Sequence, residues 1–347
     1  MTRRHLLPLL TRLCFGLALA LAPACNVTEL AIWKSAPPSP ADLFEVQKIS
    51  GVTYCDGPVS ESIYHQMDLY LPKGAAQFPV VVLLHGGAWR MELSDNRCFG
   101  LYPAIAELLA RQGIGVVVPN YRLSPEFQHP EHIKDVAKAY AWTYANIGKF
   151  GGRADMIFLA GHSAGGHLAA LLATDEAYLK AEGLSAADIK GVISVSGVYR
   201  IPEQDFVAAL GGTTPLSLRY DELYPMREKS SGPGIMAALP PIPFTIGIYK
   251  EAFGDDPATR ACASPINHVR PGLPPFFLVC AENDLPTIAE CTEEFHQTLR
   301  EHGCESCSMR VERRNHDSVV YCAIDMEDPV AFAMVDFIRR HIPAPVR

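Results

Sequence analysis

Beyond its N-terminus the chain has no run of lysine or arginine, and 38 acidic side chains outnumber 30 basic ones, giving a formal charge of −8. A nucleic-acid partner needs a basic face, and none is offered. There is no internal repeat and no low-complexity block, which excludes a stacked-repeat architecture. Long apolar runs are scarce as well: Leu13 to Ala22 is too short to span a bilayer. Metal ligands come only in pairs that lack a third member, His129 with His132, His162 with His167, and Cys304 with Cys307. A structural zinc takes four protein ligands and a catalytic one three, so neither a metal nor another cofactor is expected. What remains is an ordinary globular composition, 48% hydrophobic and 20% charged, in 347 residues that suffice for one large or two ordinary domains.

The N-terminus reads as an export signal. Thr2-Arg-Arg-His is basic, the apolar run follows, and Ala22-Pro-Ala24 offers a cleavage site, so residues 1–24 are expected to be removed. Cys25 would then come first. Leu-Ala-Pro-Ala-Cys25 resembles a bacterial lipoprotein box, which makes Cys25 either a lipid attachment site and membrane tether or the start of a periplasmic or secreted protein. Cleavage and modification of Cys25 would leave eight of the ten cysteines, enough for four disulfides in an oxidising compartment. Residues 25–50, with Ser35-Ala-Pro-Pro-Ser-Pro-Ala41, read as a proline-rich tether, and 51–347 as the folded domain.

Within that domain, apolar strands alternate with helices. Ile63 to Leu71 alternates polar and apolar like a half-buried edge strand. Pro79 to Leu84 and Gly115 to Pro119 are apolar throughout, as strands covered on both faces are. Further strands are expected at Met156–Ala160, Val192–Gly197, Pro275–Cys280 and Met309–Arg313, with helices at 101–112, 132–147, 287–302 and 329–341. Such alternation predicts an α/β fold with a mostly parallel sheet between two helical layers. Residues 200–260 interrupt the pattern with prolines and aromatics and read as an inserted lid.

Met156-Ile-Phe-Leu-Ala-Gly-His-Ser-Ala-Gly-Gly-His-Leu carries the chemistry. It reads as a short strand, a sharp turn at Ser163 and a helix, with Gly161 and Gly165 small because strand end and helix start must pass close together. A serine hydroxyl is a weak nucleophile until a base takes its proton, and that base needs an orienting acid. On a strand–turn–helix elbow these partners follow in the order acid, then histidine. Asp284 lies just past the strand ending at Cys280, with Glu282 its nearest competitor. Of the histidines after it, His296 and His302 fall on a helix and His341 near the terminus, whereas His316 occupies the loop after the last strand. Ser163, Asp284 and His316 are therefore the expected triad.

His85-Gly-Gly-Ala-Trp89, Asn120-Tyr-Arg-Leu-Ser-Pro125, the elbow segment and Ser264-Pro-Ile-Asn-His-Val269 together resemble the α/β-hydrolase superfamily from about His65 to the C-terminus. Within it the chain is similar to the serine-esterase group that includes bacterial xylan and feruloyl-type esterases, isoprenylcysteine methylesterases and kynurenine formamidases. Hormone-sensitive-lipase-like relatives carry Gly-Asp-Ser-Ala-Gly and a third loop glycine, where this chain has His162 and Ala88. The resemblance implies the α/β-hydrolase fold, with the 200–260 insertion as a cap. It also implies cofactor-free hydrolysis of a small or medium carboxylic ester through an acyl-enzyme, with Gly86, Gly87 and Ala164 supplying the oxyanion hole. An arylformamidase-like amide hydrolase is the alternative within the group. A non-catalytic binding protein of the same fold is the alternative outside it, against which the intact triad argues.

Overall fold

A computed structural model of the chain describes residues 43–56, 63–90, 101–203 and 247–342. The expected signal segment, Cys25 and the proline-rich stretch to Ala41 lie outside these residues, as does 204–246 of the expected lid.

The order of the eight strands across the sheet is β1 (Val46–Thr53), β2 (Gln66–Pro72), β4 (Gly115–Pro119), β3 (Phe78–Leu84), β5 (Gly152–His162), β6 (Ile189–Val195), β7 (Phe276–Asn283) and β8 (Ser306–Asn315). Only the pairings that involve β2 are antiparallel; β4 through β8 run parallel. Alternate side chains of β3 feed opposite faces, as a period of two requires. Val80, Val82 and Leu84 enter one core with α2 (Glu131–Asn146) and α3 (Ala164–Thr174). Val81 and Leu83 enter the other with α1 (Leu101–Arg111). After α3 come α4 (Glu176–Ala181), α5 (Ile248–Phe253), α6 (Pro257–Cys262), α7 (Ile288–Glu301), α8 (Ser318–Tyr321) and α9 (Pro329–Arg340). Helix α7 joins the first face through Ile288, Phe295 and Leu299, and α9 the second through Met334, Phe337 and Ile338. With both faces covered, β3 and β4 are buried along their whole length, which is why they read as unbroken apolar runs.

Two expectations change here. The strand around Ile63–Leu71 is not an edge, because β1 covers it. The tether was expected to reach residue 50, yet Val46–Thr53 is that covering strand. Its pairing with β2 shifts register between Ile49 and Val52, around Gly51 at φ 70°. That bulge removes the alternation by which a strand is recognised. No disulfide joins any two of the described cysteines, although the sequence allows up to four. Among these, Cys55, Cys262, Cys280, Cys291, Cys304 and Cys322 are free thiols. Cys291 Sγ accepts the Tyr199 N–H at 3.3 Å, and Cys304 Sγ donates to the Arg270 carbonyl at 3.1 Å.

Candidate active site

The elbow is built by two close approaches. A Cβ added to Gly161 would lie 2.3 Å from the Gly165 carbonyl oxygen, and one added to Gly165 would lie 2.2 Å from the Leu84 carbonyl oxygen. Only glycine at both positions lets β5 turn directly into α3 beside β3. Ser163 sits between them at φ 54°, ψ −118°, a left-handed conformation that a non-glycine residue adopts under constraint. Its N–H, bonded to the Val195 carbonyl at 2.9 Å, ties the turn to β6.

The ends of β7 and β8 bring the partners in. His316 Nε2 lies 2.9 Å from Ser163 Oγ, and its Nδ1–H donates to Asp284 Oδ1 at 2.6 Å. The Asp284 side chain is only 1% exposed, and that of His316 only 8%. Burial alone would raise the Asp284 carboxyl. Hydrogen bonds from His316, from Ser196 Oγ (2.6 Å) and from the Ala281 N–H (2.9 Å) outweigh it and hold the pKa below the ordinary aspartate value. The group therefore stays ionised at neutral pH and fixes the histidine proton on Nδ1, leaving Nε2 open towards the serine. Glu282 is turned outward and accepts the Arg313 N–H at 2.6 Å, which braces the loop carrying His316. All three expected triad residues thus meet at one point.

The oxyanion loop departs from expectation. The Gly86 N–H is donated to Tyr102 Oη at 2.6 Å, which takes it away from any substrate oxygen. A Cβ on Gly86 would come within 3.1 Å of that hydroxyl, so the loop lies tightly on α1. Tyr121 donates to the His85 carbonyl at 2.9 Å and stacks on the His85 ring at 4.2 Å. Beyond Gly86 the chain takes three successive positive φ values, 115° at Gly87, 54° at Ala88 and 58° at Trp89. Ala164 is the first residue of α3, so its N–H has no carbonyl within the helix to bond.

Sequence reasoning did not find the supporting residues. Ser196, itself at φ 49°, bonds the far carboxylate oxygen of Asp284. His162 donates Nε2–H to the His316 carbonyl at 2.8 Å, with the two rings 4.8 Å apart. Burial pushes the His162 pKa down to about 3, so it serves as a neutral donor. His167 is likewise engaged, between Trp89 and the Ala263 carbonyl. His132 Nε2 pairs with Ser124 Oγ at 3.0 Å, and His129 Nε2 with the Tyr178 hydroxyl at 3.3 Å. Each histidine that could be counted towards a metal pair has its own partner. Among the described residues no group of three or more histidine, cysteine or acidic side chains is placed to hold an ion.

Several known proteins are similar to this chain. The BD-FAE family model matches residues 67–206. Esterase LipQ of Mycobacterium tuberculosis is 28% identical over 264 residues, covering 75% of this chain and 55% of the relative. Esterase LipC of the same organism is 31% identical over 226 residues, covering 64% and 48%. The chain thus spans about half the length of the curated relatives it matches. Among solved structures, a truncated carbohydrate esterase from gut microbiota superposes with a TM-score of 0.63 at 18% identity, over 88% of this chain and 98% of that one. That likeness shows the fold. The sheet and the elbow together give the chain the α/β-hydrolase fold, and the proteins it is similar to in sequence are esterases.

Proposed function

We propose that the protein hydrolyses small or medium carboxylic esters through an acyl-enzyme. The observation that carries this reading is the continuous relay from Asp284 through His316 to Ser163, with donor–acceptor distances of 2.6 and 2.9 Å. His316 Nε2 takes the proton as Ser163 Oγ attacks the carbonyl carbon, and Asp284 stabilises the imidazolium that forms. The N–H groups of Gly87 and Ala164 receive the oxyanion, with Ala88 next to them in the loop; each such donor contributes about 3 kcal/mol in comparable sites. His316 then protonates the leaving alcohol. Water repeats the sequence to free the acid and restore the serine.

The test is p-nitrophenol release from acyl esters of graded chain length, beside Ser163→Ala. Turnover that disappears in the variant supports the reading, and its dependence on chain length sizes the acyl pocket. A folded protein that releases nothing from esters but cleaves an N-formyl aryl amide would favour the arylformamidase-like alternative.

Export is part of the same proposal, resting on the basic start, the apolar run and the Ala-Pro-Ala24 site. The cysteine parity that leaned towards lipid on Cys25 loses weight, since no disulfide joins any two of the described cysteines. Incorporation of labelled palmitate into the protein but not into Cys25→Ser would establish the tether, and its absence from both would leave a periplasmic or secreted enzyme.

A further inference from the structure

We propose that His167 is a positioning residue, which holds the oxyanion loop in register with the nucleophile by gripping Trp89. The proposal rests on the esterase reading, although its structural half can be read without turnover. Gly87, Ala88 and Trp89 all lie in the left-handed region, and two of them are not glycine. Such a loop persists only where its surroundings impose it.

The surroundings here are specific. The Trp89 carbonyl accepts the Ser124 N–H at 2.7 Å, and its indole N–H is donated to His167 Nδ1 at 3.1 Å. Trp89 is 2% exposed and His167 fully buried. His167 lies one helical turn beyond Ser163, whose carbonyl accepts its backbone N–H at 2.9 Å. A single turn of α3 therefore carries both the nucleophile and the group that fixes the loop. The far side of the ring is anchored too, because Nε2–H donates to the Ala263 carbonyl at 2.7 Å. These two bonds fit only the neutral tautomer protonated on Nε2, and burial, which lowers the His167 pKa to about 3, preserves it. Phe253 closes the arrangement edge-on against Trp89 and His167, at 5.0 and 5.5 Å. A residue there merely to fill space would not need an acceptor on one ring nitrogen and a donor on the other.

The two bonds can be separated by substitution. In His167→Asn the amide oxygen stands near the place of Nδ1 and keeps an acceptor for the indole, while the bond to Ala263 is lost. In His167→Gln the amide nitrogen stands near the place of Nε2, with the reverse outcome. On p-nitrophenyl esters, His167→Gln is expected to lower kcat by about 10- to 100-fold with little change in KM, because the loop donors act on the transition state. His167→Asn should stay within about threefold of wild type, since it retains the contact that sets the loop. Trp89→Phe should match His167→Gln, and the double variant should lose no more than either alone. Equal losses in the Asn and Gln variants, a loss carried by KM, or an additive double variant would overturn the proposal. A second readout needs no catalysis. The chain has three tryptophans, and the indole N–H resonance that vanishes in Trp89→Phe should be slow to exchange in wild type and His167→Asn but shifted and fast in His167→Gln. An indole signal unmoved by His167→Gln contradicts the grip itself. An inactive wild type that shows the expected indole pattern contradicts the esterase reading instead and leaves the grip standing.

Discussion

The two halves of the site are made in different ways. On the relay side, Ser163, Asp284 and His316 follow the ends of the parallel strands β5, β7 and β8 and are hydrogen-bonded in series. Much of their bracing is local in sequence, as with the Ala281 N–H on Asp284 and the Asn315 side chain on the Asp317 and Ser318 N–H groups. The oxyanion side is a left-handed loop after β3 with no strand register to shape it. It leans on Tyr102 from α1, Tyr121 after β4 and His167 from α3, all distant in sequence. Sheet topology brings the relay residues together, with Ser196 and His162 as added support, whereas the loop after β3 depends on side chains recruited one at a time.

If this contrast is right, damage to the two sides should differ in kind. The largest effect is expected from Asp284→Asn, which keeps the shape but places the wrong tautomer on His316. A loss in kcat on the order of 10⁴-fold with an unchanged circular dichroism spectrum is predicted; a loss of only a few-fold would mean that the relay is not the working unit.

Acid should act next, through buried neutral histidines. Burial lowers His162 and His167 to about 3, and His129 and His132 to about 4. Below the ordinary histidine value the unfolded chain takes up protons that the folded one refuses. Stability is therefore complete above about pH 6.5 and falls as pH drops towards 4, by up to about 1.4 kcal/mol per pH unit for each histidine. The depressed Asp284 adds its own loss only at still lower pH, below the unfolded carboxylate value and down through its folded one. Urea unfolding at about pH 7 and about pH 5 measures this; equal midpoints would show that these rings take up protons in place.

The smallest effect is expected from Tyr102→Phe. It leaves the Gly86 N–H without its acceptor and should cost about 1–3 kcal/mol of stability, read as a lower urea midpoint. Because Gly86 is not assigned to the oxyanion, kcat should change far less than in Asp284→Asn. A collapse of kcat with unchanged stability would show that the Tyr102 hydroxyl serves catalysis and does not merely accept the Gly86 N–H.

The same contrast separates what the sequence disclosed from what it concealed. Ser163 was legible because Gly161 and Gly165 answer a backbone crowding that any such elbow must solve. Asp284 and His316 were legible because each follows an expected strand in the required order. The parallel sheet was visible in runs such as Gly115 to Pro119, whose observed bounds match those expected. Strand β1 escaped because a bulge at Gly51 breaks its alternation. Tyr102, Ser196 and the tasks of His162 and His167 escaped for a different reason. Each acts across a long sequence separation on a backbone group or side chain, and no local spacing records that. Gly86 was misassigned for the same cause, since its competing acceptor, Tyr102, lies on α1.

One measurement bears most directly on the relay. The folded protein would be treated with a fluorophosphonate, digested and mapped by mass spectrometry, beside His316→Ala and a urea-unfolded sample. A single phosphonyl adduct on Ser163 in the native protein, absent from the other two, is the predicted result. Labelling at another residue, or a Ser163 adduct that forms as fast without His316, would contradict the assignment of Ser163 as a nucleophile activated through His316 and Asp284.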